Sequence, residues 1–469
     1  MEQPCIVKKV GLVGVAMAAT LFLGGCGGLL PRSNYTTPAV ELPGNWREQT
    51  TTGTTVANGQ KWWSGFNDAV LSGLIERALK SNNDLAAAAI RVRRAQLNAK
   101  LTGTNLAPSA GVSATSSYSR YFAGGRSTKS GGVTGTVSYE VDLWGKLAAA
   151  RDVSSFEAEA TEADRQSTAL ALIGTAATDY WQIAYLNERI SSAQASIAYA
   201  EKILDLVHAK YRAGAVSALD QVQARQTVAS QKAELTQLLQ QRTEARNALA
   251  ILFDQAPEEA VPEPQRLPDG PVPAVAAGLP ADILAQRPDL RAAEQRLRKY
   301  LAAVDYTRAS YYPTFTLTGT LGTSSTSLIE ILKNPVAALG VGATLPFIQA
   351  NTMKLNVALA KTDYEEAVAN FRQKLYSALS DVENALSARS RYADENRLLE
   401  ESLALSEKAA SLAEARYRAG ATALQAWLDA QESRRSAEKA LSENRLNRLK
   451  NSVALYQAIG GAMEAKTAQ

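Results

Sequence analysis

The sequence predicts an α+β membrane protein built from an internal duplication, each chain supplying four β-strands and two hairpins of very long helices. Three observations predict it. The chain opens on a secretion signal that ends in a cysteine. Two stretches recur along it at nearly one spacing. Each half combines period-two strands with helical runs free of proline.

The signal comes first. Lys8 and Lys9 form a basic start, and Gly11 to Leu23 is apolar but too short to span a bilayer as a helix. It ends in Leu23-Gly24-Gly25-Cys26, which resembles a bacterial lipobox. Cleavage there leaves Cys26 at the N-terminus, carrying an N-palmitoyl group and an S-diacylglycerol. Gly27 follows in place of Asp, so the inner-membrane retention signal of enteric bacteria is absent.

Composition narrows the chemistry. Cys5 leaves with the signal, so no disulfide framework or cysteine zinc site is expected in the mature chain. The single histidine, His208, falls inside a predicted helix and is expected on its surface. Lysines and arginines number 50 against 46 acidic residues, a net +4 too mild to suggest nucleic acid. After Cys26 no apolar run is long enough for a transmembrane helix. Neither a resident cofactor nor a convergent nucleophile, base and metal set is expected, which speaks against an enzyme.

The duplication shows in paired segments. Asn83-Asp84-Leu85-Ala86-Ala87-Ala88 matches Pro288-Asp289-Leu290-Arg291-Ala292-Ala293. Arg91 then pairs with Arg296 and Pro108 with Pro313. Tyr211-Arg212-Ala213-Gly214-Ala215 matches Tyr417-Arg418-Ala419-Gly420-Ala421 at nearly the same offset. The prolines of Ala256 to Pro280 forbid a regular helix and mark a linker between the halves.

Past Pro108 the pattern turns to strict alternation. Val133, Gly135, Val137, Tyr139, Val141 and Leu143 share one face, with Thr134, Thr136, Ser138, Glu140 and Asp142 on the other. Val112 to Tyr121 alternates more weakly. In the second half Phe315, Leu317, Gly319 and Leu321 alternate with threonines, and Leu339 to Phe347 with Gly340, Gly342 and Thr344. Ala123 to Gly132 and Gly322 to Ser327 are the expected turns. Strands of about 10 residues, apolar outside and polar inside with aromatic ends, fit a membrane barrel. Tyr121, Tyr139, Trp144, Tyr311, Tyr312 and Phe347 are candidates for its aromatic girdle. Two hairpins on a soluble sheet show the same alternation, but they leave the lipobox unexplained. Four strands cannot close a barrel, since about eight is the smallest single-chain number, and an open edge in lipid leaves backbone groups unsatisfied. A membrane reading therefore requires several copies; three would give about 12 strands.

The helices are far longer than a globular core needs. Lys146 to Lys210 has no proline and one glycine, Gly174, and at ~1.5 Å per residue spans on the order of 95 Å. Leu186, Ile190, Ala193, Ile197, Ala200, Leu204, Val207 and Tyr211 alternate in steps of four and three, the spacing of a coiled-coil seam. Leu399, Leu403, Ser406, Ala410, Ala413 and Tyr417 repeat it. Partner helices return over about Leu219 to Phe253 and Leu424 to Ile459. The chain thus divides into a signal peptide (1–25), a lipidated extended segment (26–68), a first repeat (69–255), the linker (256–280), a second repeat (281–462) and a tail (463–469). The β-hairpins fall at about 109–143 and 314–347, and the helical tips near 211–217 and 417–423.

Several motifs carry a resemblance. They are Asn34-Tyr35 with Pro38, Leu42-Pro43 with Trp46, and Trp62-Trp63-Ser64-Gly65-Phe66 with Asp68, Leu71, Leu74 and Ile75. Arg287-Pro288-Asp289-Leu290-Arg291-Ala292-Ala293-Glu294-Gln295 is the most specific; Ala309-Ser310-Tyr311-Tyr312-Pro313 and Leu428-Asp429-Ala430-Gln431 follow. Together with the duplication, these resemble the outer-membrane factor family, the TolC-like channels, in its OprM/NodT-type lipoprotein branch. The resemblance implies a homotrimer in the outer membrane. A 12-stranded barrel would continue into a 12-helix periplasmic α-barrel, with the linker and the chain's end in an equatorial region. It implies a passive conduit for drugs, metals or organic compounds, fed by an inner-membrane pump of the resistance-nodulation-division type through a periplasmic adaptor.

The candidate site residues follow. Gly214 and Gly420 suit left-handed helix ends, which explains the glycines but not the arginines beside them. The resemblance points Tyr211, Arg212 and Gly214, with Tyr417, Arg418 and Gly420, at the adaptor. It also matches Asp429 to a family aspartate that narrows the tunnel, and three-fold symmetry would make a ring of three carboxylates there. Asp220 is a second gate candidate, equally explained as a solvated carboxylate. The outlet of a type I protein secretion system and a pore-less structural coiled-coil lipoprotein remain as alternatives; the four amphipathic strands argue against the second.

Overall fold

Each half of the chain follows the same order of elements, and prolines punctuate it. The computed structural model describes residues 30–48, 61–120, 122, 124, 127–257, 261–273, 280, 286–325 and 335–461. Cys26, the signal peptide, the tail, Tyr121 and the Phe347 side chain lie outside the described residues. A short helix, α1 (Ala69–Ser81), precedes the first half. Then come α2 (Asn83–Thr104), β1 (Ser109–Arg120), β2 (Ser127–Val141), α3 (Lys146–Arg212) and α4 (Ala218–Ile251). The second half repeats this as α5 (Pro288–Ala309), β3 (Thr314–Ser325), β4 (Pro335–Thr344), α6 (Ala350–Arg418) and α7 (Leu424–Ala458). Pro108 and Pro313 stand directly before β1 and β3, where the restriction they place on the preceding residue ends each helix.

The chain divides into two compact units. One holds residues 1–39, 92–161 and 293–371; the other holds 40–91, 162–292 and 372–469. The first contains the sheet, an antiparallel meander in the order β1-β2-β3-β4. Ser109 pairs with Ser138, Val141 with Phe315 and Thr314 with Thr344. The strands extend further into the expected turns than alternation suggested. Gly131 and Gly132 pair with Ser116 and Thr115 on one side and with Ser325 and Ser324 on the other. A strand held on both sides by backbone bonds continues through residues that carry no apolar signal. The near ends are shorter than expected. Asp142 is not the last polar residue of β2 but a cap: its carboxylate accepts from the backbone N–H of Leu147 (3.0 Å) and Ala148 (2.8 Å) at the start of α3. Leu143 likewise lies past the strand, and β4 stops before Leu345. At this end Trp144 donates its indole N–H to the Pro313 carbonyl at 2.5 Å, and its ring lies 5.1 Å from Tyr312.

The extended segment around Arg32 to Tyr35 is strapped to the rest of this unit. The Ser33 backbone N–H and hydroxyl donate to Asp305 at 2.8 and 2.6 Å. Arg32 pairs with Asp152 at 2.7 Å, and Arg298 stands 4.7 Å over the Tyr35 ring.

In the second unit the tryptophan motif forms a plug. Trp62 stacks on Tyr456 at 4.5 Å and Phe66 meets Trp181 edge-on at 4.7 Å. Asp68 caps α1 through the Val70 and Leu71 N–H groups and also accepts from the Tyr180 hydroxyl at 2.9 Å. Gly174 has a packing reason. A Cβ there would fall 2.0 Å from the Gln457 amide nitrogen, which donates to the Leu170 carbonyl at 3.1 Å. The Arg-Pro-Asp-Leu-Arg stretch opens α5 with Pro288 at its first position. Arg287 grips Asp289 with two bonds (3.0 and 2.9 Å) and reaches Asp381 of α6 (3.1 Å) and the Ala458 carbonyl of α7 (3.2 Å). Burial by itself would raise the Asp289 carboxyl, yet the Arg287 bond and charge hold it below the usual carboxylate range. Leu290 beside it is fully buried. The motif is therefore a three-element clasp.

The long helices form as the heptads predict. α3 has 67 residues and α6 has 69, each on the order of 100 Å at ~1.5 Å per residue. Leu186 and Ile190 of α3 pack with Leu238 of α4. No helix among the described residues is long and apolar enough to cross a membrane.

Candidate docking tips and gate

Both hairpin tips are built by the same backbone device. The Gly214 N–H donates to the Tyr211 carbonyl and the Ala215 N–H to the Lys210 carbonyl, both at 2.9 Å. Gly420 and Ala421 make the matching bonds to Tyr417 and Arg416 at 3.0 and 2.8 Å. Gly214 and Gly420 have φ of 74° and 75°. This is the Schellman end, where a left-handed glycine satisfies the last carbonyls.

The side chains break the symmetry. Tyr211 is 42% exposed, whereas Tyr417 is 4% exposed. Tyr417 sits in a cluster with Ile203, Val207, Leu424 and Trp427, its ring 5.2 Å from that of Trp427. Lys210 lies over it with the ammonium 4.4 Å from the ring centre. Burial, then the charge of Asp220, pushes the Tyr417 hydroxyl up. Tyr417 is thus a core residue of the tip, and the surface of the second tip is carried by Arg418. The seam shifts in the same way: near the first tip the buried positions are Ile203 and Val207, not Leu204 and Tyr211.

Arg212 is exposed and makes no ion pair with any described residue. Arg418 pairs with Glu414 at 2.7 Å and keeps 64% of its side chain exposed. Glu414 also accepts from the Tyr199 hydroxyl at 2.6 Å, tying α3 to α6. Burial, then this bond and the Glu414 charge, pushes Tyr199 up to about 12. Tyr199, Glu414, Lys210 and Trp427 escaped the sequence reading. Trp427 carried a signal, being the lone tryptophan of the second half.

The two aspartates differ as well. Asp220 belongs to a capping box: its carboxylate accepts from the Ser217 N–H (2.8 Å) and hydroxyl (2.7 Å), and Ser217 caps α4. The second tip has Ala423 at the equivalent place and no side-chain cap. Asp429 is exposed, one turn into α7, and accepts from the Gln425 amide at 2.6 Å. His208 is on the helix surface, beside Gln221.

A duplicated chain with a four-stranded antiparallel meander and helices of this length defines an α+β channel subunit. The model of the family described as outer membrane efflux protein matches residues 74–253 and 279–461, one block per half. The chain belongs to that family. It is 33% identical to the pyoverdine export outer membrane protein OpmQ of Pseudomonas putida, over 93% of this chain and 96% of that one. Among solved structures it resembles the outer-membrane channel OprN, with a TM-score of 0.85 and 26% identity, covering 92% of this chain and 99% of that one. The open-state MtrE channel of Neisseria gonorrhoeae matches at TM-score 0.82 and 29% identity, covering 94% and 100%. The fold is TolC-like. The protein is an outer-membrane efflux channel component, a transport conduit and not an enzyme.

Proposed function

We propose that three copies close into one trimeric conduit, with about 12 strands in the outer membrane and 12 long helices around a periplasmic tunnel. The open sheet carries this reading. β1 and β4 are free edges of a four-stranded sheet, and in lipid such edges must pair. The conduit receives small molecules from an inner-membrane pump, of resistance-nodulation-division type, through a periplasmic adaptor that meets the tips at Arg212 and Arg418. The 33% identical relative is named for the export of a small organic molecule, pyoverdine, which supports small molecules as cargo. Electron microscopy of the detergent-extracted protein is expected to show a three-fold particle with a tube on the order of 100 Å long. A rod or monomer without a barrel would overturn the reading.

Cys26 carries the N-palmitoyl and S-diacylglycerol groups, read as an intact mass of the purified chain; an unmodified cysteine in that spectrum removes the anchor. A closed barrel is its own anchor, so replacing Cys26 is expected to leave a trimer still able to insert.

Asp429 lines the gate. Its carboxylate is exposed and free of any cation among the described residues, so three copies facing one axis would attract cations. Asp429→Ala is expected to lower cation selectivity in planar-bilayer recordings of the trimer. Unchanged conductance and selectivity would take it out of the gate. The capping bonds of Asp220 account for that residue, and Asp220→Asn, which keeps an acceptor, is the matched control.

A further inference from the structure

A cavity of about 170 Å³ lies in the second unit between α6, α7 and the linker. α6 lends it Arg389 and Ala393, one turn apart. α7 lends Arg448, Ser452 and Leu455, which share one face of the helix. Val272 and Pro273 of the linker close it. Two bonds pin the helices together around it: Asn451 of α7 donates to the Ala385 carbonyl of α6 at 2.8 Å, and Asn444 to Glu395 at 2.7 Å. Pro273 is backed by the tryptophan plug, since a Cβ on Gly65 would stand 3.8 Å from its ring.

The lining combines apolar walls with positive charge. Val272, Pro273, Ala393 and Leu455 supply the walls, and no carboxylate lines the cavity. Arg448 makes no ion pair with any described residue. Arg389 already has a partner, and a guanidinium with five N–H donors has others to give. Ser452 is 5% exposed, yet its hydroxyl has no described hydrogen-bond partner. Helical serines often donate to the carbonyl four residues back, as Ser433 does to Asp429 at 3.0 Å on the same helix. Buried hydroxyls are rarely left without a partner. Two guanidiniums and an idle buried donor suit an anion, and the apolar walls suit an anion with a hydrocarbon body.

We propose that this cavity binds a small organic monocarboxylate. Its carboxylate sits among Arg389, Arg448 and the Ser452 hydroxyl, and its hydrocarbon part lies against Val272, Pro273 and Leu455. Arginine–carboxylate bonds are charge-assisted and often two-pronged, which orients the acid. A cavity of roughly 150 Å³ holds benzene, so the body is about the size of one aromatic ring. The site uses none of the tip or gate residues and does not depend on three copies assembling.

Sodium benzoate is the probe, titrated into the purified full chain in detergent and followed by calorimetry and by melting temperature. Saturable binding of one benzoate per chain is expected, with a raised melting temperature. Benzamide has the same shape without the charge, and inorganic phosphate has charge without a hydrocarbon body. Both are expected to bind roughly tenfold more weakly or worse. Benzamide binding as tightly would make the cavity an apolar slot, and phosphate binding as tightly an inorganic-anion site. Either result overturns the proposal, as does the absence of saturable benzoate binding. Three variants then place the ligand. Arg448→Gln is expected to weaken benzoate roughly tenfold. Ser452→Ala should weaken it severalfold without lowering the melting temperature of the ligand-free protein, because the hydroxyl it removes is unpaired. Ala393→Trp fills the cavity from an exposed helix position and is expected to abolish binding with both arginines in place. Benzoate held as tightly by Arg448→Gln or by Ala393→Trp as by the native chain binds elsewhere and overturns the site.

Discussion

Reversing both tip charges, Arg212→Glu with Arg418→Glu, is expected to abolish export while leaving assembled channels in the membrane. The fold should tolerate the change. Arg212 is exposed and pairs with no described residue, and such surface substitutions stay within about 0.5 kcal/mol. Arg418→Glu replaces the pair with Glu414 by a like-charge contact one helical turn apart, which costs about 0.2–0.5 kcal/mol. Glu414 keeps its bond from Tyr199, so the link between α3 and α6 survives. Docking is far less forgiving, because like charges brought together at an interface cost several kcal/mol. In the proposed trimer that penalty would be multiplied over six tips. The readout is export of a fluorescent pump substrate, with trimer content measured on the same membranes. Export at the normal rate from intact trimers would sink the assignment. The single variants add detail: Arg212→Glu should do more harm than Arg418→Glu, since Arg418 is already partly neutralised by Glu414.

What the sequence disclosed follows its periodic signals. Heptads gave the long helices because α3 buries a stripe along most of its length and α6 buries one over Phe371 to Leu386 and again at Ala410 and Tyr417, and alternation gave the strands because β2 and β3 present opposite chemistries on their two faces. Local periodicity has no term for reach across the fold. Asp142 read as a strand residue because its alternation partner was polar, and its bonds to the α3 backbone depend on a turn at Gly145 that periodicity does not register. Tyr211 and Tyr417 occupy identical local sequence. They part ways because Tyr417 meets Trp427 on α7, whereas the first repeat has Gln221 at the equivalent position, 206 residues earlier, a polar side chain that lies beside His208 and offers Tyr211 no aromatic to pack on. A repeat in sequence thus became a pair of unlike tips through one aromatic. Gly174 was visible as a lone glycine, but its reason, the Gln457 side chain, lies at the far end of the chain. The Arg-Pro-Asp-Leu-Arg stretch was noticed for its specificity, yet its role as a clasp needed Asp381 and Ala458, which nothing local connects to it.

That clasp sets the second large expectation. Arg287→Met should destabilise the protein by roughly 3–5 kcal/mol, the cost of leaving one partner of a buried ion pair uncompensated. The Arg287 side chain is largely buried and serves three acceptors at once. Arg287→Lys should recover only part of the loss, since an ammonium cannot repeat the two-pronged grip on Asp289. The pH dependence carries the sign. In the native protein the Asp289 carboxyl lies below its unfolded value of about 3.9. Its contribution is therefore fully present above that value and disappears as pH falls through the lower folded one. Without Arg287, burial, the largest influence on the carboxyl, is opposed only by the Lys374 charge and the Leu290 N–H, and the pKa is expected to rise instead. The penalty then applies at neutral pH and is relieved as acid protonates the group. The gap in melting temperature between native protein and Arg287→Met, measured in detergent, should accordingly narrow from pH 7 to pH 4. Arg445→Met is the control, because Arg445 and Asp269 stand 3.8 Å apart with both side chains well exposed, a pair worth less than about 1 kcal/mol. If Arg287→Met lowers the melting temperature no more than Arg445→Met does, or if its gap widens in acid, the clasp does not hold the three elements together.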